Sequence, residues 1–249
     1  MEITHGSIIG NISEDFVSFS LDFSQIIGKD WWSPKTKKNI GLTGKFQPKP
    51  LDFSDERFKN VLKPLLPTIL RIGGTKADQI YYAISSKNKP PGYKDILDMK
   101  IWNKVLKFAN EMDMKLFVNI NAGKGPRDKK GLWEPSNANE FINYNLERTN
   151  NIIGYEFGNE PNILIVNRKK PSGKRYARDF AVFLNNSKKI HPSAIVSGAA
   201  SAFWPYVGEF FCLTKDFLKH LKDFTTKDLD VLSWHYYPLL SSRAPIATR

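Results

Sequence analysis

The chain predicts an α/β fold, a (β/α)8 barrel of the TIM type, and three observations carry that expectation. Six short apolar runs alternate with helical stretches along the 249 residues, the pattern of a parallel sheet with crossover helices. Three of those runs end by turning abruptly polar and aromatic: Thr68-Ile69-Leu70-Arg71-Ile72-Gly73-Gly74-Thr75-Lys76, Ile152-Ile153-Gly154-Tyr155-Glu156-Phe157-Gly158-Asn159-Glu160-Pro161, and Leu232-Ser233-Trp234-His235-Tyr236-Tyr237-Pro238. Polar residues collected at the C-terminal ends of strands are the mark of a barrel's active face. The alternative, a doubly wound open sheet, loses ground because no G-x-G-x-x-G follows the first strand and no G-x-x-x-x-G-K-[ST] occurs; Gly123-Lys124-Gly125 reads as a tight turn.

The elements follow in order. Phe16 to Phe23 has β character and partial alternation, and reads as a first strand closing near Asp22. A helix from about Ser54 to Leu65 is ended by Pro64 and Pro67, and Thr68 to Ile72 is the second strand. Ile101, Val105, Phe108 and Met112 recur at helical spacing, predicting a helix over about Leu97 to Met112, before a third strand at Lys115 to Asn121. Ser136 to Arg148 is helical and Ile152 to Phe157 is the fourth strand. Arg175 to Ile190 is helical, Ala194 to Ser197 is a short fifth strand, Phe210 to Phe224 is helical, and Leu229 to Trp234 is the sixth strand. A full barrel needs eight strands, so residues 1–249 are expected to be one barrel domain incomplete at its C-terminus. A six-stranded part is expected to expose unpaired edges and an apolar lumen.

Composition bounds the function. With 41% hydrophobic and 13% aromatic residues the chain can bury a substantial core. It has no run of eighteen apolar residues, and its first residues lack the basic and apolar regions of an export signal. The single cysteine, Cys212, excludes an internal disulfide and is expected to be a buried thiol in an apolar helix. With four histidines, no H-x-x-x-H and no carboxylate cluster at ligand spacing, neither a metal nor a cofactor is expected. The formal charge of +12 favours polyanions: nucleic acid, an acidic membrane surface, or a sulfated or uronic-acid polysaccharide. No helix-turn-helix, zinc-finger or aromatic RNP pattern accompanies it, so no nucleic-acid partner is expected.

The sharpest chemical pattern is Asn159-Glu160 at a strand end. A carboxyl that protonates a glycosidic oxygen needs a fixed position, and an Asn just before it can bond the sugar 2-hydroxyl. By position, Asp22, Thr75, Asn121, and His235 with Tyr236 close other strands and share that cup. Glu156, four residues before Glu160, would lie about 13 Å from it along an extended strand. It reads as a structural partner for Arg71 rather than as a second catalytic carboxylate.

These motifs resemble those of the heparanase-type glycoside hydrolases, family 79. The resemblance rests on Leu70 to Asp78, on Gly158-Asn159-Glu160-Pro161-Asn162, and on Trp234-His235-Tyr236-Tyr237 followed by Ser241-Ser242-Arg243 and Ala247-Thr248-Arg249. It implies a retaining hydrolase that cleaves β-glucuronide linkages in an anionic polysaccharide such as heparan sulfate, with Glu160 as proton donor. It also implies a nucleophilic glutamate on the seventh strand and a small β-sandwich after the barrel, both beyond residue 249. Asp22 and Thr75 would contact the sugar, Asn159 its 2-hydroxyl, and the Tyr236 region would help position the nucleophile. The family is typically exported or lysosomal, and matrix or peripheral membrane association would run through glycosaminoglycan.

Basic residues fall in the same loops. Lys35, Lys37 and Lys38 follow the first strand; Lys76 the second; Lys124, Arg127, Lys129 and Lys130 the third; Arg168, Lys169, Lys170, Lys174 and Arg175 the fourth; Arg243 and Arg249 the sixth. Lys124, Arg127 and Arg243 are candidates to grip carboxylate or sulfate groups. Trp31, Trp32, Trp133 and Trp204 are candidates either for stacking on sugar rings or for ordinary packing. The alternative function is a catalytically inactive, polyanion-binding remnant of such a hydrolase.

Overall fold

The computed structural model describes residues 10–28, 49–163, 171–204, 208–209 and 212–238. Nine strands occur among them: β1 (Phe19–Asp22), β2 (Ile69–Gly73), β3 (Ile80–Ala83), β4 (Asp95–Asp98), β5 (Lys115–Ile120), β6 (Ile152–Phe157), β7 (Ile195–Trp204), β8 (Gly208–Glu209) and β9 (Val231–Tyr236). The helices are α1 (Phe23–Ile27), α2 (Glu56–Leu62), α3 (Met99–Glu111), α4 (Ser136–Leu146), α5 (Gly173–Ile190) and α6 (Leu213–Leu221). No helix among the described residues is long and apolar enough to cross a membrane.

The six expected strands are β1, β2, β5, β6, β7 and β9, and they lie side by side in that order, all parallel. Each strand pairs with the one before it, so the strand order never reverses as it does in a doubly wound sheet. This is the curled parallel sheet of a TIM-type barrel. β8 adds a short antiparallel pairing to the end of β7.

Three local features were not expected. Asp22 accepts the Ser24 N–H and caps α1, so a short helix begins where the first strand was taken to continue; Gly28, at φ 65°, ends it. Between β2 and α3 the chain forms a separate two-stranded parallel sheet, β3 with β4. Leu97 belongs to β4, and Asp98 caps α3 through the Lys100 N–H. β7 runs seven residues past Ser197, through Gly198-Ala199-Ala200-Ser201-Ala202. These small residues carry little β-propensity, and their pairing with β9 rather than local preference makes them a strand.

The helices bury one face each on the sheet's outer side. α3 contributes Trp102, Val105, Leu106, Phe108 and Ala109, and α5 contributes Tyr176, Phe180, Phe183 and Leu184. Tyr82 stacks on Phe141 at a 4.1 Å centroid distance, and Trp102 sits 5.2 Å from that ring while donating its Nε1–H to Asn145. Phe157 packs against Trp133, Tyr176, Phe180 and Phe183, fixing the end of β6 just before its catalytic-looking turn.

On the other side of the sheet, the lumen expected to be apolar carries one polar layer, beside the half-buried Ile69 and Phe117 on the same face. Ser20, Arg71, Asn119, Glu156, Ser197 and Ser233, one from each parallel strand, form a hydrogen-bonded belt. Arg71 donates to Ser20 (3.0 Å) and to Glu156 (2.8 Å from Nε); Asn119 donates to Glu156 (2.9 Å). Ser233 donates to the second Glu156 oxygen (2.8 Å), and Ser197 lies 2.9 Å from Ser233. The buried Glu156 charge is thus neutralised by Arg71 and both its oxygens are satisfied.

Candidate active site

Glu160 stands at the C-terminal end of β6, where the backbone leaves the strand through two left-handed residues. Gly158 has φ 73° and Glu160 itself φ 50°. A non-glycine residue there costs on the order of 1 kcal/mol and persists only where its surroundings impose it. They do so here from three sides. The Gly158 N–H donates to Ile120 of β5 (2.9 Å), the Asn159 N–H to Asp78 after β2 (2.9 Å), and the Glu160 N–H to Ala200 of β7 (3.0 Å). Asn162 adds a two-way bond to the Ala202 backbone, 2.9 Å in each direction.

The carboxyl of Glu160 reaches β9. Its Oε1 lies 2.8 Å from His235 Nδ1 and also accepts the Tyr237 hydroxyl, while Oε2 has no hydrogen bond among the described residues. His235 Nε2 is buried without a hydrogen-bond partner among the described residues. Burial, and then the Glu160 charge, push the Tyr237 phenol well above its ordinary value, so it stays a donor. Tyr237 stacks on Trp204 with centroids 5.3 Å apart and donates its N–H to Phe203.

Asn159 is 5% exposed, and its Oδ1 accepts from Arg71 (3.2 Å), which leaves the amide N–H2 as the group it can offer. Asp22 lies against Gly74, where any Cβ would collide with its carboxylate; burial makes its carboxyl a weaker acid than usual, raising its pKa. Thr75 is exposed at the same rim. Asn121 is turned inward, donating to Ile80 (2.8 Å) and accepting from Gly123 (2.8 Å). His235 meets Glu160, whereas Tyr236 alternates to the other face of β9, where it and Trp234 are 58% and 60% exposed. The period-two rule that separates Tyr236 from His235 could have pointed to Tyr237 instead.

Some of the expected cleft cations are committed to the protein. Lys76 pairs with Asp95 (2.7 Å); Arg127 pairs with Asp179 and donates to Gly123 and Ala122; Arg175 donates to Gly131. Lys124, Lys129 and Lys130 are exposed. Trp133 is buried, with Nε1 donating to Asn121, so it packs rather than offering a sugar platform. Arg243, Lys35, Lys37, Lys38, Arg168, Lys169, Lys170, Arg249, Trp31 and Trp32 lie outside the described residues. Cys212, expected to be buried within a helix, is exposed at the start of α6 with φ 49°. Sequence reasoning did not single out Asp78, Asn119 or Ser233, because nothing local distinguishes them from ordinary turn and strand residues.

Comparison with known proteins fits this geometry. The chain is 29% identical over 171 residues to heparanase-like protein 3 of Arabidopsis thaliana, covering 61% of this chain and 30% of that protein. It is 31% identical over 135 residues to heparanase of Gallus gallus, covering 52% and 24% respectively. The chain therefore matches about a quarter to a third of the length of these relatives. Among solved structures, a 4-O-α-L-rhamnosyl-β-D-glucuronidase from Fusarium oxysporum shares the fold over 94% of this chain and 47% of its own, with a TM-score of 0.53 at 16% identity. A bifunctional glucanase-xylanase from a metagenome library, CelM2, covers 72% of this chain and 52% of its own, with a TM-score of 0.51 at 13% identity. The family model for the glycosyl hydrolase family 79 N-terminal domain matches residues 1–245, and by that match the chain belongs to glycosyl hydrolase family 79.

Proposed function

We propose that this chain carries the acid/base half of a retaining glycosidase acting on β-glucuronide linkages in an anionic polysaccharide such as heparan sulfate. The observation that carries the reading is Glu160. It is a carboxyl in a left-handed backbone conformation at the end of a parallel strand, with Oε1 held by His235 and Tyr237 and Oε2 free of bonds among the described residues. A general acid needs this combination of one anchored oxygen and one available to meet the leaving group.

In the proposed reaction Glu160 gives its proton to the glycosidic oxygen as the bond from that oxygen to the anomeric carbon breaks. The nucleophile is read as a glutamate on the strand that follows β9 in the barrel order, beyond residue 249, about 5 to 5.5 Å from Glu160. Its ester with the sugar is then hydrolysed by a water from which Glu160 takes a proton. Asn159, with Oδ1 on Arg71, offers its Nδ2 hydrogens to the 2-hydroxyl. Asp22 and Thr75 form the sugar-facing rim beside β2, and the exposed Lys124, Lys129 and Lys130 attract an anionic chain.

The test exposes the chain to an aryl β-D-glucuronide and to the matching glucoside, with and without sodium azide as an external nucleophile. Amide resonances are followed alongside phenol release. The expected result is glucuronide-induced shifts at Asn159, Glu160 and His235, and azide-dependent phenol release that the Glu160→Gln substitution abolishes. Equal response to the glucoside would remove the uronate specificity, and release unaffected by Glu160→Gln would remove the acid/base assignment.

A further inference from the structure

Asp78 has no role in the reaction just described, yet it is 7% exposed and its carboxylate ties three strand ends together. It lies in the one-turn helix Ala77–Gln79 that follows β2. Oδ1 accepts the Ala122 N–H (2.8 Å) just after β5, and Oδ2 accepts the Asn159 N–H (2.9 Å) just after β6. No lysine, arginine or histidine pairs with it among the described residues. The chain is drawn in tightly at this point. A Cβ added at Gly158 would come 2.8 Å from the Ala122 Cβ and 3.6 Å from Asp78 Oδ1.

Both N–H groups need an acceptor, and only an ionised carboxylate presents two equivalent ones; a protonated carboxyl or an amide keeps a single good acceptor. Of the two groups gripped, Asn159 immediately precedes Glu160, whose own N–H is held from the opposite side by Ala200. We propose that Asp78 is the positioning residue for Glu160. Its ionised carboxylate fixes the Asn159 peptide and so aims the Glu160 side chain at His235 and Tyr237, and protonation of Asp78 releases that aim.

Charged and titratable groups facing Asp78 come from four elements: Arg127 in the loop after β5, Glu156 on β6, Tyr82 on β3 and Tyr176 on α5. Arg127 favours the ionised form but is already bound to Asp179, while Glu156 opposes it. Burial is the largest influence and raises the Asp78 carboxyl to about 6, against the two amide bonds that favour its charge. The aim of Glu160 is therefore expected to change within the mildly acidic range.

The inference takes from the proposed function only the importance of Glu160, and its test needs no substrate. Nuclear magnetic resonance would follow the Ala122 and Asn159 amides and the Glu160 side-chain carboxyl carbon from pH 4.5 to 8 in the unmodified chain, in Asp78→Asn and in Asp78→Glu. The two amides are expected to titrate together with one midpoint, which the Glu160 carbon also senses, while amides of β1 and α3 do not. In Asp78→Asn the shared inflection disappears from both amides and from the Glu160 carbon; Asp78→Glu restores a coupled inflection. Amides that fail to titrate together, or a Glu160 carbon that keeps the inflection in Asp78→Asn, would overturn the proposal. Should Asp78→Asn not fold, the coupled titration in the unmodified chain still decides it. A silent glucuronide test with a positive amide titration would remove the proposed substrate and leave this inference standing.

Discussion

Replacing Arg71 by methionine removes the cation from the polar belt and leaves Glu156 charged and buried. The Glu156 side chain is 3% exposed and that of Arg71 21%. Losing one member of a buried ion pair costs about 3 to 5 kcal/mol, because the remaining charge keeps its desolvation penalty without compensation. Glu156 retains its bonds from Asn119 and Ser233, but both already exist in the native protein and offset nothing new. Arg71 is partly open to solvent, so water can follow the departed guanidinium and the lower end, about 3 kcal/mol, is expected. Glu156→Gln should cost less, about 1 to 2 kcal/mol, since the guanidinium keeps Ser20, Asn159 and some solvent. The double substitution Arg71→Met with Glu156→Gln should cost at least about 1 kcal/mol less than the two single losses added together. Equilibrium unfolding in urea, followed by far-ultraviolet circular dichroism and by tryptophan fluorescence, measures all three. A loss below about 1 kcal/mol for Arg71→Met, or additive singles, would refute the view that this pair neutralises a buried charge.

Two further outcomes can be checked on the same instrument. Gly154→Ala should lower stability by about 2 kcal/mol or more, because its Cβ would meet the Ile195 carbonyl oxygen and the Phe117 ring where β6 pairs with β7; an unchanged urea midpoint would contradict that packing. His191 has its basicity lowered by burial and then by Lys188, and its Nδ1 is buried without a partner among the described residues. The unfolded chain therefore binds the proton more readily than the folded one, so stability is complete above the ordinary histidine value of about 6.5 and is lost as pH falls through the folded value. His191→Gln should flatten that decline, and an equal pH slope in both proteins would sink the assignment.

The six parallel strands were legible because apolar runs bounded by polar ends survive any packing arrangement, and their order followed from the alternation with helices. The pairing of Arg71 with Glu156 was legible too, since a strand-borne Glu too far from Glu160 for shared chemistry needs a cation. α1 and the β3–β4 sheet were not. A five-residue helix begun by a capping aspartate and two four-residue strands carry too few residues for periodicity to separate them from loop. The length of β7 was hidden for another reason, because its Gly-Ala-Ala-Ser-Ala run becomes strand only when β9 lies beside it.

By itself, then, the sequence determined the barrel type and the strand-end turn that carries Asn159 and Glu160, because both depend on patterns local to a dozen residues. Tertiary structure decided which groups meet Glu160. His235 and Tyr237 approach it from a strand 75 residues away in sequence, and Asp78 grips its neighbour across 81. Tertiary structure also decided which cations are free: Lys76 and Arg127 are spent on Asp95 and Asp179, while Lys124 faces solvent. A hydrogen bond or ion pair depends on distances of a few tenths of an ångström between residues far apart in the chain, and no spacing in a linear sequence encodes those distances.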